Sequence, residues 1–268
     1  MAKNWHNSSG RPLSDLSWLM EHHNAKIMER EAFCLKIAQK NPCRIVDLGC
    51  GPGLWLELLN KKLASSCEFF GVDGDETSIH ACRDLALNWE RQSKFYCSNV
   101  EKEFKNIPDA DIFLAFNIMS YIKDIDGFLY ELKKKIRPGG FLIIRQYDGA
   151  LLRIGPMDIS ARMAIDASLA ASVQSSQEFN HYPIDRIYSG IKSSGLKVEE
   201  IGFEVFHRTT PFCAEFMPYL NNTVAWTAEL ISERARKHLL EWHLKATANT
   251  SSSSISYFSE FDLVAWLS

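Results

Sequence analysis

Three glycines stand at alternate positions, Gly49, Gly51 and Gly53, directly after the apolar run IVDL. A glycine tolerates positive φ, and without a Cβ it lets another group come close to the backbone. The apolar run predicts a buried strand, and Leu56 and Leu59 begin a helical pattern just after the glycines. We therefore predict a tight turn at the carboxyl end of a strand, where open α/β sheets bind ligands and a helix N-terminus favours negative charge.

The spacing of these glycines narrows the class of ligand. A dinucleotide loop has the pattern G-x-G-x-x-G, but here the third glycine comes one residue early and Leu54 follows it. A P-loop would need Gly-Lys-Ser/Thr, which is absent. The next apolar run ends in FFGVDGD, and Asp73 lies 22 residues after Gly51, where a carboxylate can accept from both hydroxyls of a ribose. We expect a ligand with a ribose and an anionic group, and the loop does not require a diphosphate.

The elements that must position these residues alternate along the first half of the chain. Apolar runs that predict buried strands begin at Arg44, Cys67, Lys94, Ala110 and Gly140, with helical patterns between them. Such alternation predicts a parallel sheet with helices on both faces. After residue 147 we expect helical stretches, a helix over 184–194, a strand over 198–207, one long amphipathic helix over 215–246 and a final strand that covers the edge of the sheet.

Four motifs follow one another in this order: VDLGCGPG, GVD, DIFLAFNIMSYI and LKKKIRPGGFLII. Together they resemble the motifs of the class I S-adenosylmethionine-dependent methyltransferases. The resemblance implies an α/β, Rossmann-like, doubly wound sheet of seven strands, mostly parallel with an antiparallel last strand, plus helical lid insertions. We expect a single methyltransferase domain over residues 1–268: an N-terminal helical lid (1–40), a cofactor-binding core (41–147), helical insertions (148–182 and 208–254) and a final strand (255–268).

The resemblance also implies S-adenosylmethionine as the cofactor. The glycine loop would lie against the methionine part of the cofactor, Asp73 would bind the ribose, and residues 99 and 100 would border the adenine. Asn117 would lie near the reactive methyl group. For Asp47 two interpretations stay open, direct cofactor contact or a strand-end carboxylate that binds the loop N–H groups. The core residues implied to bind the cofactor are Asp47, Gly49, Cys50, Gly51, Asp73, Gly74, Asn99, Val100 and Asn117.

The N-terminal stretch LSWLMEHHNAKIMEREAF predicts a helix with a mixed chemical face. Trp18, His22, Lys26 and Arg30 recur at steps of four residues and can share one side. We interpret this helix as a lid that covers the cofactor, with Trp18 and Arg30 in contact with it. His22 or His23 is then a candidate general base. The alternative is a solvated amphipathic helix whose histidines take no part in chemistry.

Tyr121 and Tyr147 follow the carboxyl ends of the fourth and fifth predicted strands, so they are candidate walls of a substrate pocket, with packing as the alternative role. The stretch FNIMSY lacks the Asn/Asp-Pro-Pro-Tyr/Phe motif of amino-methyltransferases and the Pro-Cys pair of a cytosine C5 nucleophile. We expect methyl transfer to an oxygen or nitrogen atom of a small organic molecule in a biosynthetic role. The alternatives are a peptide or protein methyltransferase, and a non-methylating member that binds S-adenosylmethionine.

Net charge, hydropathy and cysteine content limit which kinds of partner the protein can have. The net charge of −3 and the pI of about 6.3 argue against nucleic acid as a partner. No apolar run approaches the ~20 residues of a membrane span, and the first residues lack the pattern of a signal peptide, so we expect no membrane partner and a cytoplasmic location. The seven cysteines include no CxxC pair, so we expect no metal. The apolar residues of 215–246 could bury in a homodimer or over the protein's own pocket.

Overall fold

The computed structural model describes residues 6–149, 151–175, 184–248 and 255–268. Helices in these ranges are α1 (Leu16–Ala25), α2 (Ile27–Ala38), α3 (Leu54–Asn60), α4 (Glu76–Ala86), α5 (Ile125–Lys133), α6 (Ile159–Ser175), α7 (Asp185–Ser194), α8 (Met217–Leu230) and α9 (Glu233–Thr247). Strands are β1 (Arg44–Leu48), β2 (Glu68–Asp73), β3 (Ser93–Cys97), β4 (Ala110–Phe116), β5 (Ile136–Tyr147), β6 (Arg153–Gly155), β7 (Val198–Thr209) and β8 (Tyr257–Leu267).

The strands form one sheet, and its topology confirms the predicted doubly wound α/β class. The order runs β3-β2-β1-β4-β5-β8, the first five strands are parallel, and β8 is antiparallel to β5. Two details differ from the expectation. The described residues contain eight strands, because the short β6 pairs with the first residues of β8. The final strand also lies between β5 and β7 and leaves β7 at the edge, so the prediction that it covers the edge is wrong.

Alternating burial explains why helices cover both faces of this sheet. Within β1, Ile45 packs in a cluster with residues of α2, α3 and α4, whereas Val46 packs in a second cluster with residues of α5 and α7. Successive side chains of a strand point to opposite faces, and both are apolar here. A third apolar cluster joins α1, α6, α8 and α9 near the first residues of β8. This third cluster lies at the end of the sheet where the parallel strands finish.

Two predicted helices are each divided. The stretch 215–246 forms α8 and α9. The first helix ends at Leu230, and Ser232 caps the second, its Oγ accepting from the N–H of Ala235. The N-terminal stretch forms α1 and α2, which are separated at Lys26. The insertions expected over 148–182 and 208–254 contain α6, α8 and α9, and the first of them also contains the short strand β6. Residues 150, 176–183 and 249–254 of these insertions lie outside the described residues.

Candidate active site

The glycine turn after β1 has the conformation that its sequence predicts. The φ angles of Gly49, Gly51 and Gly53 are +72°, +52° and +82°, in the left-handed region that favours glycine. A Cβ built on Gly49 would lie 2.0 Å from Cγ2 of Ile118, and one on Gly51 would lie 3.4 Å from Cδ1 of Leu19. The first of these glycines is therefore required by close packing as well as by backbone conformation.

Two carboxylates lie under this turn and differ in their partners. Asp73 Oδ2 accepts from the N–H of Gly51 at 2.8 Å, and its Oδ1 accepts from the N–H of Asp75 at 2.9 Å. Asp47 is 1% exposed, and its Oδ2 has no hydrogen-bond partner in the described structure. Burial and the nearby Asp73 raise the pKa of Asp47 well above its ordinary value. The amides of residues 49 and 50 donate to the carbonyl of Val72, not to Asp47 as one interpretation expected.

The turn opens into a cleft of about 1470 Å³ with its mouth included. The predicted site residues that line the cleft are Trp18, His22, Arg30, Gly49, Cys50, Gly51, Asp73, Asn117, Tyr121 and Tyr147. Those that do not line it are Asp47, His23, Gly74, Asn99 and Val100.

Local contacts explain why the expected adenine residues are absent from the lining. The side-chain Oδ1 of Asn99 accepts from the N–H of Glu101 at 2.9 Å and closes its own turn. Val100 is 4% exposed and packs in the core. Next to Gly74 lies Arg11, whose Nη2 would be 3.9 Å from a Cβ built on that glycine. A segment before α1 therefore occupies the space beside this part of the expected cofactor site.

That segment, residues 6–14, is fastened along the cleft at several points. The hydroxyl of Tyr121 donates to the carbonyl of Pro12 at 2.7 Å, and the guanidinium of Arg11 lies 5.3 Å from the same ring centre. Ser8 Oγ donates to the carboxylate of Asp75, which caps α4. These residues fall within the lid predicted over 1–40, but they are not helical, and their individual contacts were not predicted. Tyr121 has a definite role in this fastening, beside any contact with a substrate.

Arg30 is a buried cation in the wall of the cleft. It is 6% exposed, its guanidinium lies 4.8 Å from the ring centre of Trp55, and it forms no ion pair with a described carboxylate. Its Nη1 donates to Nδ1 of His23 at 2.9 Å, and its Nη2 donates a long bond to Nδ1 of His22 at 3.4 Å. A guanidinium is only a donor, so both Nδ1 atoms accept and each neutral ring carries its proton on Nε2.

This arrangement does not favour either histidine as a general base. Burial, with the charges of Lys26 and Arg30 next in importance, lowers the pKa of His22 well below 6.5. Burial and the charge of Arg30 lower the pKa of His23 to about 4. The one lone pair of each ring that could take a proton already accepts from Arg30. The two rings instead orient the guanidinium toward the cleft.

Two further polar residues that the sequence analysis missed, Tyr219 and Glu260, line the cleft beside His22, whose ring stacks on Tyr219 at 5.1 Å. Glu260 Oε1 accepts from the hydroxyl of Tyr219 at 2.7 Å, and its Oε2 lies 2.7 Å from Nζ of Lys26. Glu260 and Asp262 share one face of β8 and are both buried. Two acids at a step of two residues in an otherwise apolar strand were the available signal in the sequence. Lys26, expected on the lid face, is their cationic partner.

The remaining wall comes from distant parts of the chain. Asn117 has a φ of +56°, and its Oδ1 accepts from the N–H of Tyr147 at 2.9 Å, which fastens the ends of β4 and β5 together. Apolar side chains of α6 and α8 close the cleft from above, and periodicity alone could not place them there. The lining residues of α6 and α8 are Leu169, Val173, Thr223, Trp226, Thr227 and Leu230, and Leu152 lines the cleft just before β6. The apolar faces of α8 and α9 pack within the chain itself, so burying them does not require a second copy.

Neither a metal-binding cluster nor a membrane-spanning helix is found in the described ranges. No group of three or more histidine, cysteine, aspartate or glutamate side chains in them could hold a metal ion. None of the helices they contain is both long enough and apolar enough to cross a membrane.

Comparison with known proteins adds to this geometry. Residues 39–216 match the family described as "Methyltransferase domain". The ubiquinone biosynthesis O-methyltransferase of Chelativorans sp. is 27% identical over 122 residues, which cover 46% of this chain and 47% of that protein. The mitochondrial ubiquinone biosynthesis O-methyltransferase of Dictyostelium discoideum is 32% identical over 110 residues, 37% of this chain and 34% of that protein. The chain thus spans about half the length of these relatives, or less.

Solved structures match a larger share of this chain than these relatives do. The YcgJ protein of Bacillus subtilis has a TM-score of 0.54 and 13% identity, with 90% of this chain and 98% of that chain covered. The cyclase SpnF has a TM-score of 0.50 and 14% identity, with 87% of this chain and 80% of that chain covered. At such low identity the likeness establishes the fold and leaves the chemistry to be argued from the site.

Proposed function

The chain belongs to the methyltransferase-domain family, and from that premise we propose that it transfers a methyl group from S-adenosylmethionine to an oxygen or nitrogen atom of a small organic molecule, in a biosynthetic role. The observation that carries the proposal is the left-handed glycine turn bonded to Asp73 at the floor of a covered cleft. The names of the relatives favour oxygen as the acceptor.

The residues in the cleft fit this cofactor. Each oxygen of Asp73 accepts one backbone N–H and keeps lone-pair capacity for a ribose hydroxyl. Arg30 is a buried cation whose described acceptors are two neutral rings, so it suits the carboxylate of the methionine part. Gly49 and Gly51 leave room for that part to lie against the backbone.

The bound cofactor supplies an electrophilic methyl group on a sulfonium ion. The protein's contribution is alignment and the exclusion of water, which can supply much of the rate enhancement. Asn117 holds the ends of β4 and β5 at a fixed separation through Tyr147, and both residues line the cleft. Residues 6–14 and the buried ring of Trp18 cover the site. A cleft covered in this way supports a small-molecule substrate over a peptide, which would need an open groove.

Calorimetry of the full chain with S-adenosylmethionine and with its demethylated product tests the cofactor site. We expect binding in the micromolar range. Arg30→Met should weaken it by roughly 10- to 100-fold, since a buried charge-assisted hydrogen bond contributes about 1.5–3 kcal/mol. The matched control is Arg137→Met, because Arg137 forms a half-exposed ion pair with Asp111 at the other end of the sheet.

Two outcomes would count against this proposal. Wild-type protein that binds neither ligand would reject the cofactor site. Equal affinities for wild type and Arg30→Met would reject the role of Arg30 alone, and Asp73→Asn would then test the ribose contact separately. Mass spectrometry of the small-molecule fraction after incubation with cofactor separates methyl transfer from binding. Binding without any methylated product, across a metabolite extract, would favour the non-methylating alternative.

A further inference from the structure

The cleft contains a buried carboxylate that cofactor binding does not use. Glu260 is 0% exposed, yet it lines the same cleft as the glycine turn. Its two oxygens are held separately, by the hydroxyl of Tyr219 on α8 and by the ammonium of Lys26 between α1 and α2. Three distant parts of the chain thus converge on one carboxylate in the wall of the cleft.

A purely structural role explains this carboxylate poorly. Burying an ion pair costs desolvation energy that an apolar pair of the same size would not incur. The neighbouring acid, Asp262, already has a partner in Arg145, whose Nη2 lies 2.7 Å from Oδ2 of Asp262. Lys26 also lies 4.0 Å from that acid, so it would not be left without a counter-charge if Glu260 were absent. A buried acid in a cleft, with a specific charged partner, is typical of a functional site.

The electrostatics suit a proton acceptor. Burial raises the pKa of Glu260, while the ammonium of Lys26 and the hydroxyl of Tyr219 act in the opposite direction. A buried carboxylate whose pKa is raised is a more effective base than an exposed one. The charged and titratable groups that face it from the surrounding elements are Lys26, Tyr147, Tyr219 and Asp262, with His22 stacked on Tyr219 at 5.1 Å.

The walls around this carboxylate indicate the kind of substrate. Aromatic rings of Trp18, Tyr219 and Trp226 and the aliphatic side chains of Leu169 and Val173 line the cleft that contains this carboxylate. Flat apolar walls fit an aromatic ring, which stacks on or packs edge-to-face with such residues. A phenol has an ordinary pKa near that of tyrosine, about 10, so at neutral pH its oxygen must lose a proton to become a strong nucleophile.

We propose that Glu260 is the general base of this site and that the substrate is an uncharged phenol. The inference rests on the proposed methyl transfer. The phenol O–H bond breaks and its proton passes to the carboxylate of Glu260. The oxygen forms the new bond to the methyl carbon, and the carbon–sulfur bond breaks with its electron pair remaining on sulfur. Tyr219 and Lys26 are positioning residues that hold the carboxylate toward the cleft.

The test compares two probe phenols in the full chain with saturating S-adenosylmethionine. One is 2-naphthol, and the other is a nitro-substituted phenol that is largely ionised at about pH 8 and needs no base. We expect Glu260→Gln to lower kcat/KM for 2-naphthol by roughly 10²- to 10⁴-fold. The same variant should lower kcat/KM for the ionised phenol by less than about 10-fold, because that step transfers no proton to the protein.

The variant Tyr219→Phe keeps the carboxylate and supplies a second measurement if Glu260→Gln does not fold. The hydroxyl of Tyr219 lowers the pKa of Glu260, so its loss should move the acidic limb of the rate–pH profile to higher pH. An equal loss of rate for both phenols, or an unmoved acidic limb in Tyr219→Phe, would overturn Glu260 as the base. Cofactor binding without turnover of either phenol would overturn the substrate class. A failure to bind the cofactor is a different result and would reject the proposed function itself.

Discussion

His23 makes the stability of the fold depend on pH in a way that one substitution can isolate. The ring is 8% exposed, and its Nδ1 accepts from the buried guanidinium of Arg30. Burial and that cation lower its pKa from 6.5 to about 4 in the folded protein. In the unfolded chain the ring protonates below about pH 6.5. Between these values the unfolded state binds the extra proton, so stability is lost as the pH falls.

The magnitude follows from the two pKa values. A difference of 6.5 against about 4, at 1.36 kcal/mol per pH unit, amounts to about 3 kcal/mol when the window has been crossed completely. Only part of it is lost by pH 5, so between pH 7 and pH 5 this ring should remove about 2 kcal/mol of the free energy of unfolding. His22 acts in the same direction, because its pKa is also lowered.

The assay is urea denaturation of wild type and His23→Asn at several values between pH 7 and pH 5. Asparagine keeps an acceptor for Arg30 and removes the titration, while His22 and the carboxylates remain in both proteins. We expect the stability of the variant to fall by about 2 kcal/mol less than that of wild type over this range. His80→Asn, at an exposed position of α4, controls for the loss of a histidine. Parallel pH dependences for wild type and His23→Asn would refute the reasoning.

Two further substitutions test the packing that shapes the cleft. Gly49→Ala should lower the free energy of unfolding by about 2–4 kcal/mol, because the new Cβ meets Ile118 at 2.0 Å at a φ of +72°. The control Gly202→Ala should change the free energy of unfolding little, because a Cβ built there has no atom within 4 Å. Equal urea midpoints for the two variants would contradict this. Arg145→Met should cost about 3–5 kcal/mol by leaving Asp262 buried without its main partner, and adding Asp262→Leu should restore most of that loss in the same urea assay. A double variant no more stable than Arg145→Met would show that the pair is not the cause.

The sequence determined those parts of the site whose geometry is set within a few residues. Left-handed φ at the glycine turn follows from the absence of a Cβ, so the spacing of Gly49, Gly51 and Gly53 sufficed to predict it. The position of Asp73 beside the turn was predictable because this residue ends its strand, and the carboxyl ends of neighbouring parallel strands meet at one edge of the sheet. The strand–helix alternation predicted the sheet class for the same reason, since each period is a local property.

Tertiary structure decided which side chains from distant parts of the chain come into contact. Glu260 meets Lys26 from a position 234 residues later in the chain, and that contact depends on β8 entering the sheet between β5 and β7. Residues 6–14 have no periodic pattern, yet they lie beside the part of the cleft where the cofactor's adenine end was expected. Such contacts depend on how whole elements pack, and a local pattern carries no information about the partner. The glycine turn and its aspartate are thus properties of the sequence, whereas the contacts of Glu260 and of residues 6–14 are properties of the assembled fold.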